Sequence, residues 1–103
     1  MSTKKQFLKS SDTCKVTFRV TKKDAGNANS IMLVGSFTDW ESKGIEMKKL
    51  KSGDFTTIVK LPVNSELQYR YIKDGTAWFN DSEADLYVQN DFGESNSVVR
   101  TIQ

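Results

Sequence analysis

The residues with the clearest chemical potential in this sequence are two tryptophans, one arginine and a run of carboxylates. The carboxylates are Asp81, Glu83 and Asp85, with Asp91 and Glu94 beyond them. Paired carboxylates can hydrolyse glycosides, and clustered ones can hold Ca²⁺. An EF-hand-like loop would need glycine where Leu86 stands, and no pocket-forming element flanks the run, which therefore reads as a solvated loop. Histidine is absent, so the commonest general base and metal ligand is missing. The single cysteine, Cys14, falls on the apolar side of an alternating strand pattern with no histidine to activate it, and reads as inert packing. Asp91-Phe92-Gly93-Glu94 lacks the downstream Lys-Ser/Thr of a phosphate loop. No catalytic residue, metal site or cofactor site emerges from these groups.

Trp78 and Arg70 are a different matter, because a hairpin brings them together. Asp74-Gly75 is a strong hairpin signal. A two-residue loop there pairs Tyr71 with Trp78. A three-residue loop, Lys73-Asp74-Gly75, pairs Arg70 with Trp78 and puts Gly75 in the left-handed position. Tyr69 and Tyr71 share a face with Leu67, the core face. The second register is favoured, since it turns Phe79 inward and leaves Trp78 outside, beside Arg70. An exposed indole can stack on the apolar face of a sugar while guanidinium donors bond its hydroxyls. Trp40 follows in the loop Phe37-Thr38-Asp39-Trp40, and composition alone leaves it either a core plug or a second platform.

The elements that must position these residues are strands. Cys14, Val16, Phe18 and Val20 alternate with polar residues, as do Phe55 to Leu61 and Leu67 to Tyr71. Ile31 to Val34 is a short apolar run that reads as a buried central strand. Gly44 to Lys49 and Ser97 to Ile102 are further short strands, and Gln6 to Leu8 a short edge strand. The breaks are Asp24-Ala25-Gly26-Asn27, Ser52-Gly53-Asp54, Pro62-Val63-Asn64-Ser65, Asp74-Gly75 and Gly93-Glu94-Ser95-Asn96, all turn chemistry. No segment keeps a helical apolar period. About seven short strands with turns roughly every ten residues indicate an all-β, immunoglobulin-like sandwich. Residues 1–13 form an N-terminal segment, partly frayed, and residues 14–103 a single domain.

The chain has 103 residues, enough for one core and too few to wall off a deep catalytic cavity. Its net charge is +2, with lysines and acids interspersed. That balance speaks against a nucleic-acid partner, which calls for a stronger one-sided basic excess. No signal-like segment or membrane-length apolar run is present, so neither a membrane partner nor secretion is expected and the location defaults to the cytoplasm.

The same residues resemble a known family. Val34-Gly35-Ser36-Phe37-Thr38-Asp39-Trp40 resembles its GxFNxW signature, and Gln68-Tyr69-Arg70-Tyr71-Ile72-Lys73-Asp74-Gly75 its YxYKFxVDG strand. Trp78, Asn80-Asp81 and the stretch from Asn90 to Val99 resemble its closing segment. This is the family-48 carbohydrate-binding module, or isoamylase early-set domain. It occurs in glycogen branching and debranching enzymes and in the β subunit of AMP-activated protein kinase. The resemblance runs from about Lys15 to Thr101.

The resemblance implies an early-set β-sandwich that binds α-1,4-linked glucan by stacking glucose rings on Trp40 and Trp78. It places Arg70 where lysine is common and Asn96 at a sugar-binding asparagine. Phe92 stands where leucine is common and Glu94 where a small hydroxyl residue is. Arg70 keeps the charge but is not equivalent to an ammonium; Phe92 changes the shape of the apolar contact; Glu94 adds a charge at the rim. The segment between Asp74-Gly75 and Trp78 is one residue longer than in the kinase subunits.

The sequence leaves two readings. In the first the protein is a non-catalytic module for glycogen or malto-oligosaccharides. In the second it is a protein-interaction or regulatory module on the same scaffold without sugar, since many fused relatives have lost sugar binding. A glycogen-metabolising enzyme or another protein is then its partner. Beginning at Met1 and ending soon after the last strand, the chain reads as a stand-alone module. An enzyme is disfavoured, because glucan-transforming relatives use a separate barrel domain. A small nucleic-acid-binding β-domain stands last.

Overall fold

In the structure, a computed structural model, residues 3–8, 12–40 and 44–102 are described. Residues 1–2, 9–11, 41–43 and 103 lie outside them, five of these within the stretch 1–13 read as an N-terminal segment. Among the described residues, ten strands form two antiparallel sheets. The first has the order β1-β2-β6-β5, built from β1 (Thr3–Phe7), β2 (Thr13–Val20), β6 (Phe55–Pro62) and β5 (Lys48–Lys49). The second has the order β4-β3-β7-β10-β9, built from β4 (Ile45–Glu46), β3 (Ile31–Gly35), β7 (Glu66–Lys73), β10 (Ser95–Arg100) and β9 (Leu86–Gln89). A short β8 (Ala77–Phe79) also pairs with β7.

The two alternating faces make the core. Cys14, Val16, Phe18 and Val20 of β2 face Tyr69 and Tyr71 of β7, Ile31 and Leu33 of β3 and Val99 of β10, all buried. Phe18 meets Tyr69 edge-on at 5.1 Å between ring centroids, and Tyr69 meets Tyr71 at 5.8 Å. Such edge-to-face aromatic pairs add to the burial of their area. The fold is the all-β, immunoglobulin-like sandwich that the alternation indicates.

Several elements differ from the sequence reading. Gly44 to Lys49 is not one strand. β4 pairs with β3 and β5 with β6, and buried Met47 carries the chain between the sheets. The edge strand β1 is Thr3–Phe7 rather than Gln6 to Leu8, and pairs with β2 from Thr3↔Phe18 to Phe7↔Cys14. Thr21 caps a one-turn helix, α1 (Lys22–Ala25), where only a turn is expected, and its apolar content is the buried Ala25 alone. β9 is an edge strand whose apolar residues, Leu86 to Val88, run consecutively instead of alternating, so no period announces it.

The two sides of β7 are used differently. β3 lies along one side, from Gly35↔Tyr69 to Ile31↔Lys73. The other side is shared. β10 pairs with the first half of β7, as in Ser97↔Tyr69, and β8 with its second, as in Tyr71↔Phe79. The loop that enters β10 and the strand β8 are thereby brought end to end, with Arg70 between them.

Candidate functional site

Alternation on β7 sends Tyr69 and Tyr71 into the core and Arg70 and Ile72 to the opposite face, where Ile72 is nevertheless buried. The hairpin after β7 pairs Ile72 with Trp78. This is neither register considered from sequence: the loop is Asp74-Gly75-Thr76, not Lys73-Asp74-Gly75. Asp74 and Gly75 both take positive φ, 52° and 77°, as the first two loop positions of an Asp-Gly turn allow. Asp74 Oδ1 accepts from the Asn29 and Ser30 amides and so anchors the turn. Trp78 nevertheless lies on the outer face, 43% exposed, and Phe79 turns inward to Tyr71 at 5.4 Å.

Arg70 is the centre of this face. Its guanidinium carbon lies 5.7 Å from the centre of the Trp78 ring, within cation–π reach. Its Nη1 donates to Glu94 Oε2 at 3.3 Å, and its Nε is buried without a partner.

Trp40 arrives by a separate local device. Gly35 ends β3 at a point where a Cβ would meet the Gln68 carbonyl at 2.4 Å, so only glycine lets β3 and β7 approach. A 3₁₀ turn (Ser36–Thr38) comes next, closed by Gly35 N donating to Thr38 Oγ1 at 3.0 Å. Asp39 and Trp40 then both take left-handed φ, 54° and 57°, and Trp40 N donates to Gly35 O at 2.9 Å. A left-handed conformation is costly for a residue with a Cβ, and a tryptophan held there is an outlier that points to function. Trp40 is half-buried, whereas Phe37 takes the core position, stacked on Phe18 at 6.1 Å.

The third contribution is the loop between β9 and β10. Asn90 Oδ1 accepts from the amides of Phe92 (2.9 Å) and Glu94 (3.1 Å), and Asn90 N donates to Glu94 O at 2.7 Å. The loop is thus folded around one side chain, with Phe92 at its tip, 89% exposed. Asn96 sits at its base, 7% exposed. Its Nδ2 donates to Gln68 Oε1 at 2.9 Å, and its Oδ1 accepts from Asn90 Nδ2 at 3.2 Å. One N–H and one lone pair remain for a ligand.

These three contributions line one open concavity of about 610 Å³, formed by Trp40, Arg70, Trp78, Asn90, Asp91, Phe92, Glu94 and Asn96. All six residues singled out from sequence are there. Asn90 and Asp91 are additions; the signal for Asn90 was its place ahead of a Gly-containing turn, where Asn commonly folds the backbone onto itself.

Of the acidic run, Glu83, Asp91 and Glu94 are exposed as a solvated loop would have them, but Asp81 and Asp85 are not. Asp81 is 4% exposed and takes the Tyr69 hydroxyl on Oδ2 at 2.7 Å and the Glu83 amide on Oδ1 at 2.9 Å. Its own amide donates to Ser97 Oγ, while Asn80 bonds Ser95 and Ser97. Asp85 pairs with Lys5 at 2.6 Å. The Asn80–Asp81 pair therefore fastens the end of β8 to β10 and fixes where Trp78 sits. Burial first, then the neighbouring Tyr71 and the Asp81 charge, push the Tyr69 hydroxyl far above the usual phenol range.

Solved structures with this fold include three of the enterobactin esterase from Shigella flexneri. They were determined in the presence of enterobactin, of 2,3-dihydroxy-N-benzoyl-glycine and of 2,3-dihydroxy-N-benzoyl-serine. Their sequence identities to this chain are 12%, 12% and 10%, with TM-scores of 0.74, 0.71 and 0.73. Each match covers 97% of this chain but only 33%, 32% and 32% of the esterase, so this chain spans about a third of its length. At such identity the likeness concerns the fold alone. No curated protein is matched by the sequence. The model of the glycogen recognition site of AMP-activated protein kinase matches residues 16–103, a span that includes every residue of the concavity. This chain belongs to that glycogen-recognition family.

Proposed function

We propose that the protein binds an α-1,4-linked glucan, glycogen or a malto-oligosaccharide, without transforming it, by stacking sugar rings on Trp40 and Trp78. Family membership supports carbohydrate binding in general and a non-catalytic domain. The observation that carries the finer reading is the convergence of two indoles, an arginine and an exposed phenylalanine on one open concavity. Flat aromatic surfaces suit the apolar faces of glucose, and the guanidinium donors of Arg70 suit its hydroxyls. Asn96 and Asn90 offer further polar contacts, and Phe92 an apolar rim. Such a shallow site binds weakly, with Kd of roughly 10 µM to 1 mM, or about −7 to −4 kcal/mol.

The test is a titration with maltoheptaose, following tryptophan fluorescence and the two indole N–H resonances, with cellohexaose as control. Saturable shifts at both indoles with the α-glucan alone are expected. No response at millimolar maltoheptaose would overturn the reading.

A further inference from the structure

The opposite side of the sandwich carries a pattern that glucan binding does not use. Strand alternation and the ladder registers lay out the outward positions of the first sheet in three rungs. Gln6, Lys15 and Lys60 form one, and Lys4, Thr17 and Ile58 the next. Arg19, Thr56 and Lys48 form the third. Five cations occupy these positions, and no carboxylate does. Among the described residues the only ion pair on this face is that of Arg19 with Asp54, 2.7 Å from Nη2 and 2.9 Å from Nε to the same Oδ2. Ile58 stands in the middle rung, 62% exposed.

Solubility and edge protection do not account for this. Lysine on an edge strand guards against unwanted strand pairing, which covers Lys4 on β1 and Lys48 on β5. Lys15 and Lys60 lie on the two central strands, which have no free edge, and they stand directly opposite each other. Like charges directly across a ladder destabilise it, so an arrangement with no stabilising return in the isolated domain fits an external anion. The net charge of the whole chain is only +2, so this one-sided row of cations is a local feature of the face.

We propose that the outer face of β1, β2, β6 and β5 docks an acidic protein segment that sets an apolar side chain against Ile58 between the lysine pairs. An apolar centre with a charged rim is the anatomy of a protein interface, and opposite charge on the partner steers it there. Single-stranded nucleic acid calls for aromatic platforms, and the one large apolar residue here is aliphatic. The face lies on the sheet remote from Trp40 and Trp78, so both can be occupied at once. The proposal does not depend on glucan being the ligand of the other face.

The experiment is an amide-resonance titration of the whole protein with a synthetic peptide of glutamates around a central leucine. A short DNA duplex and phosphatidylserine-containing vesicles are run beside it. Saturable shifts confined to β1, β2, β6 and β5 are expected, weakened about tenfold by K15E/K60E and also by I58S, with maltoheptaose affinity unchanged. K15Q/K60Q carries the test should the charge reversal impair folding. The proposal is overturned by absence of shifts at millimolar peptide, or by shifts centred on Trp40 and Trp78. Tighter binding of the DNA or the vesicles than of the peptide also overturns it.

Discussion

Arg70 is held between Trp78 and Glu94. Its guanidinium carbon lies 5.7 Å from the indole centre, and its Nη1 3.3 Å from Glu94 Oε2. The contact with Glu94 occupies a donor that a sugar hydroxyl would otherwise take. The Arg70 side chain is 15% exposed but that of Glu94 is 59%, so the pair is well solvated on the acidic side. E94Q is therefore expected to tighten maltoheptaose binding by up to about fivefold, since exposed ion pairs are worth about 0.2–1 kcal/mol. Its melting temperature should stay close to that of the parent. Weaker binding in E94Q, measured by calorimetry, would mean that Glu94 itself accepts from the sugar.

Trp78 and Trp40 should separate by their backbones. W78A is expected to cost about 2 kcal/mol or more of binding, as central aromatic anchors do, with a smaller loss of stability because the ring is 43% exposed. At Trp40 two substitutions are informative. W40A and W40G both delete the ring, but the left-handed φ of 57° penalises alanine and not glycine. W40G is expected to be the more stable by about 1 kcal/mol, with both equally poor in glucan binding. Equal stability in chemical denaturation would show that the strain is relieved by relaxation of the loop.

Asn90 organises the loop that carries Phe92 and Glu94 by accepting two amides on one oxygen. N90A is expected to lose about 1–2 kcal/mol of stability, for two loop amides left without their acceptor, together with most of the glucan affinity. N90D keeps the acceptor and loses the bond from Asn90 Nδ2 to Asn96 Oδ1. It should therefore retain stability better than N90A. A parallel set of thermal melts and maltoheptaose titrations distinguishes the two losses.

How much of this could be read from sequence depended on how local the cause was. Outward Trp78 was legible even though the turn was placed wrongly. The expected pair was Arg70 with Trp78 and the observed one is Ile72 with Trp78. A displacement of two residues keeps every side chain on its face, whereas a displacement of one reverses it. Asp81 was not legible, because what buries it is distant in the chain: the Tyr69 hydroxyl and the Ser97 side chain reach it from β7 and β10. The split of the segment 44–49 between two sheets was hidden for the same reason. Its residues are ordinary for one strand, and only the gap that Met47 fills divides them.

The buried tyrosines behind the site set the response of the fold to alkali. Burial first, and then the Asp81 charge, hold the Tyr71 hydroxyl well above its ordinary value of 10.0, and Tyr69 is raised likewise by burial and its neighbours. Below about pH 10 both folded and unfolded chains keep these protons, and neither tyrosine makes stability depend on pH. Above it the unfolded chain releases protons that the folded chain retains. Stability therefore falls as pH rises toward the raised folded values, at up to about 1.4 kcal/mol per pH unit for each tyrosine. Substitution separates the two. The Tyr69 hydroxyl bonds the Asp81 carboxylate at 2.7 Å, so Y69F is expected to cost about 2 kcal/mol at neutral pH. The Tyr71 hydroxyl feels the Asp81 carboxylate but meets no partner in hydrogen-bonding geometry, so Y71F should cost much less there while removing one proton from the alkaline slope. Urea denaturation from about pH 7 to 12 checks both. A Y71F slope as steep as that of the parent would show that Tyr71 is ionised in the folded protein.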